Sequence, residues 1–292
     1  MKARMLIVLG SVKGSPGVST FCLALAARWP GAAKRVLVEC DPAGGDLAAR
    51  YDLALSPGLV SLAAARRGSG AATGADGESL WSHTQVLPGG LRVLVAPPGG
   101  EQARAALASL AGTGAHPLEQ AAGDPGLVVI ADAGRLDAGS AALGLVRAAD
   151  QLLLLSHATA SDLAHLAARI DEVSGWSGRA GLLLVGGGYP DAEVARELGM
   201  SVMARIPTDP VEAATLNGRT PPRRRPFTRA TLSRTAGQVA TVLATSRQLL
   251  SRPEPSTAAD ADIPVPGEPS SPGVAEPAPS TVASPVLNGR LP

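Results

Sequence analysis

The chain has 292 residues, a formal net charge of +1 and only 2% aromatic residues. That length can bury a sizeable core, which must be built from Ala, Leu and Val rather than from rings. The near-neutral balance excludes a global drive toward nucleic acid or anionic membrane, and no stretch reaches the roughly 20 apolar residues of a membrane span. Cys22 and Cys40 sit inside apolar runs and read as small buried hydrophobes of a reducing compartment, not as a disulfide or a metal site. The first apolar run is short and lacks a small-residue cleavage site, so a soluble, cytoplasmic protein is expected.

Seven short apolar runs follow one another along the chain, at 4–10, 35–40, 91–97, 127–132, 151–156, 181–186 and 201–207. They are apolar throughout rather than alternating, which suits strands covered on both faces. Between and after them, helical patterns cover 19–29, 101–112, 138–149, 160–173, 191–198, 210–217 and about 229–250, with Leu232, Val239, Val242 and Leu249 near one face of the last. Strand–helix alternation of this kind predicts an α/β fold: a mostly parallel twisted sheet of about seven strands with helices on both faces. The Gly/Ser-rich stretch 67–90 reads as an exposed loop.

From Gly218 to Arg252 the chain holds eight arginines and no acid, and the segment RTPPRRRPFTR is broken by prolines. Arg219, Arg223, Arg224, Arg225 and Arg229 form a patch suited to nonspecific DNA phosphates or an acidic partner. After Arg252 ten of the last 40 residues are proline and apolar periodicity ends. The expected organisation is one domain over 1–252 and a disordered Pro/Ser/Ala-rich tail over 253–292.

The stretch SVKGSPGVSTF, residues 11–21, joins the first strand to the first helix. A phosphate loop works because successive backbone N–H groups and a helix N-terminus face an anion, with glycines permitting the tight wrap. Gly14 and Gly17 supply that wrap, and Ser19 and Thr20 open the helix with hydroxyls suited to Mg²⁺. Val18 stands where such a loop carries its lysine, Val12 replaces the first glycine, and Pro16 removes one N–H.

These residues resemble the deviant phosphate loop of the ParA/MinD family of P-loop ATPases, K-G-G-x-G-K-[ST]-[ST]. Three further stretches agree in order. VLVECDPAGGDLAARYDL (36–53) is similar to the family's second strand and first switch, LVVIADAGRL (127–136) to its Walker B strand and second switch, and IPTDP (206–210) to its loop near the adenine. The resemblance spans roughly residues 4–220. It implies that Gly14, Ser15, Gly17, Val18, Ser19 and Thr20 surround the phosphates of ATP or ADP, and that Asp209 lies by the base. It also implies that Ser19 and Asp132 hold Mg²⁺, and that Asp41 orients the attacking water. Lys13 falls on the signature lysine, which in family dimers reaches the partner subunit's nucleotide. Glu39 stands for the family's first acid and is expected to face the crevice or a cation such as Lys13. The family's adenine-reading asparagine is missing from VGGGYP (185–190).

A lost charge-assisted hydrogen bond costs about 1.5–3 kcal/mol, on the order of 10- to 150-fold in affinity. The resemblance therefore implies a positioning or partitioning protein with a degenerate loop, similar to the pilus-associated (CpaE/TadZ-like) or septum-site branch. Such a protein acts by homodimerising and recruiting a protein partner of a positioning or secretion system, at a pole, septum, nucleoid or membrane. Nucleotide with Mg²⁺ is held weakly or lost, and hydrolysis is weak or absent. The alternative is an active Mg-ATP-hydrolysing switch in which Lys13 covers both lysine roles.

Overall fold

All seven apolar runs become parallel strands of one sheet. A computed structural model describes residues 5–14, 16–68, 77–111, 116–124, 126–219 and 230–251. The strands are β1 (Leu6–Ser11), β2 (Lys34–Glu39), β3 (Gln85–Val86), β4 (Arg92–Leu94), β5 (Leu127–Arg135), β6 (Gln151–His157), β7 (Ala180–Val185) and β8 (Val202–Ile206). Their order is β3-β4-β2-β5-β1-β6-β7-β8. The additional strand, β3, pairs antiparallel with β4 at the edge, and its two residues are too short to show a period.

Helices cover both faces: α1 (Val18–Ala27), α2 (Leu47–Tyr51), α3 (Leu59–Gly68), α4 (Gly77–Trp81), α5 (Gly100–Leu110), α6 (Pro117–Ala122), α7 (Leu143–Ala148), α8 (Ala160–Ala167), α9 (Ile170–Trp176), α10 (Asp191–Leu198), α11 (Pro210–Leu216) and α12 (Thr231–Ser251). Successive residues of β1 feed opposite cores. Leu6 and Val8 pack with α3, α5, α6 and α7, whereas Ile7 and Leu9 pack with α1, α2 and α12. Burial on both sides is why each strand reads as an unbroken apolar run. Proline at the first turn starts α6 and α11, where its missing N–H costs nothing.

Several expectations need correction. Residues 77–90 are not an exposed loop: α4 and β3 lie there, and Leu80 and Leu87 are buried. The helix expected over 160–173 is two helices, because Arg169 leaves helical geometry (φ −123°, ψ 11°) and sends Nη1 to the Leu136 carbonyl at 3.3 Å. The helix expected over 138–149 begins only at Leu143. On α12 Leu232 and Val239 are buried as expected, but Val242 is 55% exposed, and Leu243 takes the inward position. Among the described residues no helix is long and apolar enough to cross a membrane. Ser15, Arg223, Arg224, Arg225, Arg229 and the tail 253–292 lie outside the described residues.

Candidate functional site

The parallel register brings the carboxyl ends of the three central strands to one level. Leu9 of β1 and Glu39 of β2 both pair with Asp132 of β5. Ligands of open parallel sheets gather at this end of the strands. β1 leads into residues 12–17, and Gly17, at φ 92°, turns the chain into α1. Only glycine takes that angle without strain, and having no side chain it leaves the first-turn amides of α1 without a side-chain cap.

Asp132 is 4% exposed. Its carboxylate accepts a hydrogen bond from the Gly134 amide at 3.0 Å, and the Ser19 hydroxyl favours its charged form. Burial pushes its pKa up to about 6, with the Asp41 charge adding to the rise, while Ser19, the Gly134 bond and the Arg50 charge oppose it. A hydroxyl and a carboxylate are hard oxygen donors of the kind Mg²⁺ takes alongside phosphate. Among the described residues no group of three or more His, Cys, Asp or Glu is placed to hold a metal ion. A cation here would therefore complete its shell from ligand oxygens and water.

Asp41 follows β2 and accepts from the Ala43 amide at 2.8 Å. Burial also raises its pKa. Gly134, at φ 57°, lies against this carboxylate so closely that any Cβ there would collide with it. The turn after β5 thus sets how near Asp41 comes to Asp132.

Glu39 does not face a cation. It is 3% exposed, and its carboxylate accepts from the amides of Asp46 (2.7 Å), Leu47 (2.9 Å) and Ala96 (2.9 Å). Burial raises its pKa to about 6 despite those three bonds. The expected cation partner is absent because the chain turns back at Gly45, where a side chain would strike Glu39, and thereby offers amides instead of a lysine.

Lys13 is exposed, and its Nζ lies 3.5 Å from Asp162 Oδ1 on α8. Thr159 holds Asp162 in place through a 2.5 Å hydroxyl bond. Val18 is 6% exposed and belongs to the core beneath the loop with Phe21 and Leu9. Asp209 caps α11 by accepting from the Glu212 amide at 3.0 Å, and takes the Thr231 hydroxyl at 3.2 Å. Arg219 is exposed beyond α11.

Two residues beside the loop carry no sequence signal. The amide of Asn217 donates to the Thr20 hydroxyl at 3.2 Å and its Oδ1 accepts from Arg50 Nη1 at 2.6 Å. Arg50 also pairs with Asp46 at 2.6 Å, and α2 is fixed against the end of α11 by the Tyr51 hydroxyl on the Leu216 carbonyl at 2.5 Å. The only trace in the sequence is the i, i+4 spacing of Asp46 and Arg50, common on any helix surface.

Solved structures share this fold. The ParA family ATPase of Chlorobium tepidum TLS superposes with a TM-score of 0.62 at 17% identity, covering 82% of this chain and 99% of that one. The chain has the ParA/MinD ATPase fold. An ATP complex of a Cyanothece McdA variant matches it with a TM-score of 0.59 at 15% identity over 84% of this chain and 98% of its own. The Aquifex aeolicus MinC:MinD cell division protein complex gives 0.54 at 14% identity over 86% and 98%. No protein-family model and no curated protein sequence matches the chain. The likeness to the ParA/MinD fold is carried by architecture at this low identity.

Proposed function

We propose that the chain is a ParA/MinD-type positioning or partitioning protein that binds Mg-ATP or Mg-ADP with little or no hydrolysis. In this reading it works by dimerising and recruiting a protein partner. The observation that carries the proposal is the buried Asp132 at the carboxyl end of β5, level with the end of β1, where the uncapped helix α1 begins. A buried carboxylate with a raised pKa at the carboxyl end of a sheet is a frequent mark of a working site.

The phosphates lie on the first turn of α1, around Gly14, Ser15, Gly17, Ser19 and Thr20, with Asp209 toward the base. Ser19 and Asp132 hold Mg²⁺, which offsets phosphate charge. Arg50, joined to Thr20 through Asn217, supplies the positive charge that Val18 withholds. Slow turnover follows from two features: Val18 is committed to the core, and Lys13 is engaged by Asp162. Asp41 orients water wherever turnover persists. A MinD chain in complex with MinC supports partner recruitment as the output. The arginines at 219–229 suit nonspecific DNA or an acidic partner, and such contacts would place a cytoplasmic protein at a pole, septum, nucleoid or membrane.

Calorimetric titration of ATP and ADP with Mg²⁺ tests this reading. Saturable binding is expected, weakened about tenfold or more in Arg50→Ala by loss of one charge-assisted contact. Lys13→Ala should change it less. No heat up to millimolar ATP overturns the proposal, and ATP turnover well above background in the same samples favours the active switch.

A further inference from the structure

A second cluster of cations lies at the opposite end of the sheet, where β2 and β4 begin. The five steps from Lys34 to Glu39 put it about 16 Å along the strand from the level of Asp132. Lys34, Arg35 and Arg92 line a concave cavity of about 490 Å³ together with Trp81, Ala33 and Gly90. No carboxylate lines it among the described residues.

Both guanidinium groups are held in place. Arg35 is half-buried and donates from Nη1 to the Trp29 carbonyl at 3.3 Å. Arg92 donates from Nη1 to the Thr84 hydroxyl at 3.0 Å and lies 5.6 Å above the centre of the Trp81 ring. A guanidinium has five N–H donors, so each arginine keeps donors beyond these bonds. Preset forks of this kind match phosphate oxygens, and the indole–guanidinium pair offers a flat surface for a ring. Cavities of 300–1,000 Å³ are the usual size for small ligands. The three cations and the indole gather in one open depression of about 490 Å³, a size that suits a discrete ligand.

We propose that Lys34, Arg35, Arg92 and Trp81 form a binding site for a small phosphate-bearing ring compound of the nucleoside monophosphate class, separate from the loop at residues 11–21. The site reads phosphate through Lys34 and Arg35, and the ring through the Arg92 guanidinium that Trp81 backs. It stands on side chains that the phosphate loop does not use, so it holds whether or not the loop binds ATP.

The test follows the Trp81 indole NMR signal, assigned with Trp81→Phe, while AMP, adenosine, or a ten-nucleotide single-stranded DNA is added without Mg²⁺. AMP is expected to move the signal saturably, with adenosine at least tenfold weaker. Arg35→Gln combined with Arg92→Gln should weaken AMP at least tenfold. Lys34→Gln, which alters an exposed side chain, should weaken it severalfold and guards against a folding defect in the double variant. No saturable shift up to millimolar AMP, equal response to adenosine, or unchanged binding in the variants overturns the proposal. Tighter binding of the DNA than of AMP overturns it too, in favour of a nucleic-acid surface.

Discussion

Asp132→Asn tests the electrostatics of the site most directly. The wild-type carboxyl is buried, and burial pushes its pKa up to about 6 from an ordinary value near 3.8. At about 1.4 kcal/mol per unit, ionised Asp132 costs the folded state roughly 3 kcal/mol relative to its neutral form. The sign follows from the direction of the shift. A raised folded-state pKa gives stability that is complete below pH 4 and is lost as pH climbs through 6. Asparagine keeps an acceptor for the Gly134 amide and carries no charge. Without nucleotide or metal, Asp132→Asn should therefore match wild type near pH 4 and exceed it by about 2–3 kcal/mol at pH 8. For a domain of this size that is a gain of about 5–10 °C in Tm. Urea unfolding and thermal scans at both pH values provide the measurement. Mg²⁺ with ADP should then stabilise wild type but not the variant, since binding to the folded state alone raises stability. Equal stability at pH 8, or the same gain at pH 4, would refute the reasoning.

Two further substitutions separate structural from functional roles. Glu39→Ala strips acceptors from three amides at about 1–3 kcal/mol each, partly offset by removing a charge whose pKa is raised. A net loss of about 2–4 kcal/mol in urea unfolding at pH 7.5 is expected, and no loss would mean that water replaces the carboxylate. Val18→Lys should cost about 1–3 kcal/mol, because the position is packed into the core, and should raise ATP affinity less than tenfold. A stable variant that binds ATP a hundredfold more tightly would show the lysine pocket to be intact.

The sheet was readable because burial on both faces writes itself into continuous runs such as LVVIAD and QLLLLS. Short elements were not. α2 and β3 offer too few residues for a period, and α4 hides in a Gly/Ser-rich stretch with Leu80 and Trp81 as its large apolar residues. Asp132 and the loop at residues 11–21 lie in motifs far apart in the sequence, and the pairing of β1 with β5 brings them to one end of the sheet. The position of Glu39 was invisible because its partners are amides, which every residue carries. Arg50 and Asn217 meet across 167 residues of chain, a contact that depends on tertiary packing alone.

The Glu39 carboxylate also has a mechanical consequence. By binding the amides of Asp46 and Leu47 it closes residues 39–47 into a ring, and by binding Ala96 it ties that ring to the neighbouring strand. Asp41 sits inside the ring. The segment that carries Asp41 is thus tied at both ends rather than hinged at one. Within it Gly44, at φ 114°, and Gly45 let the backbone pass close against Pro98 and Glu39, where a side chain would not fit.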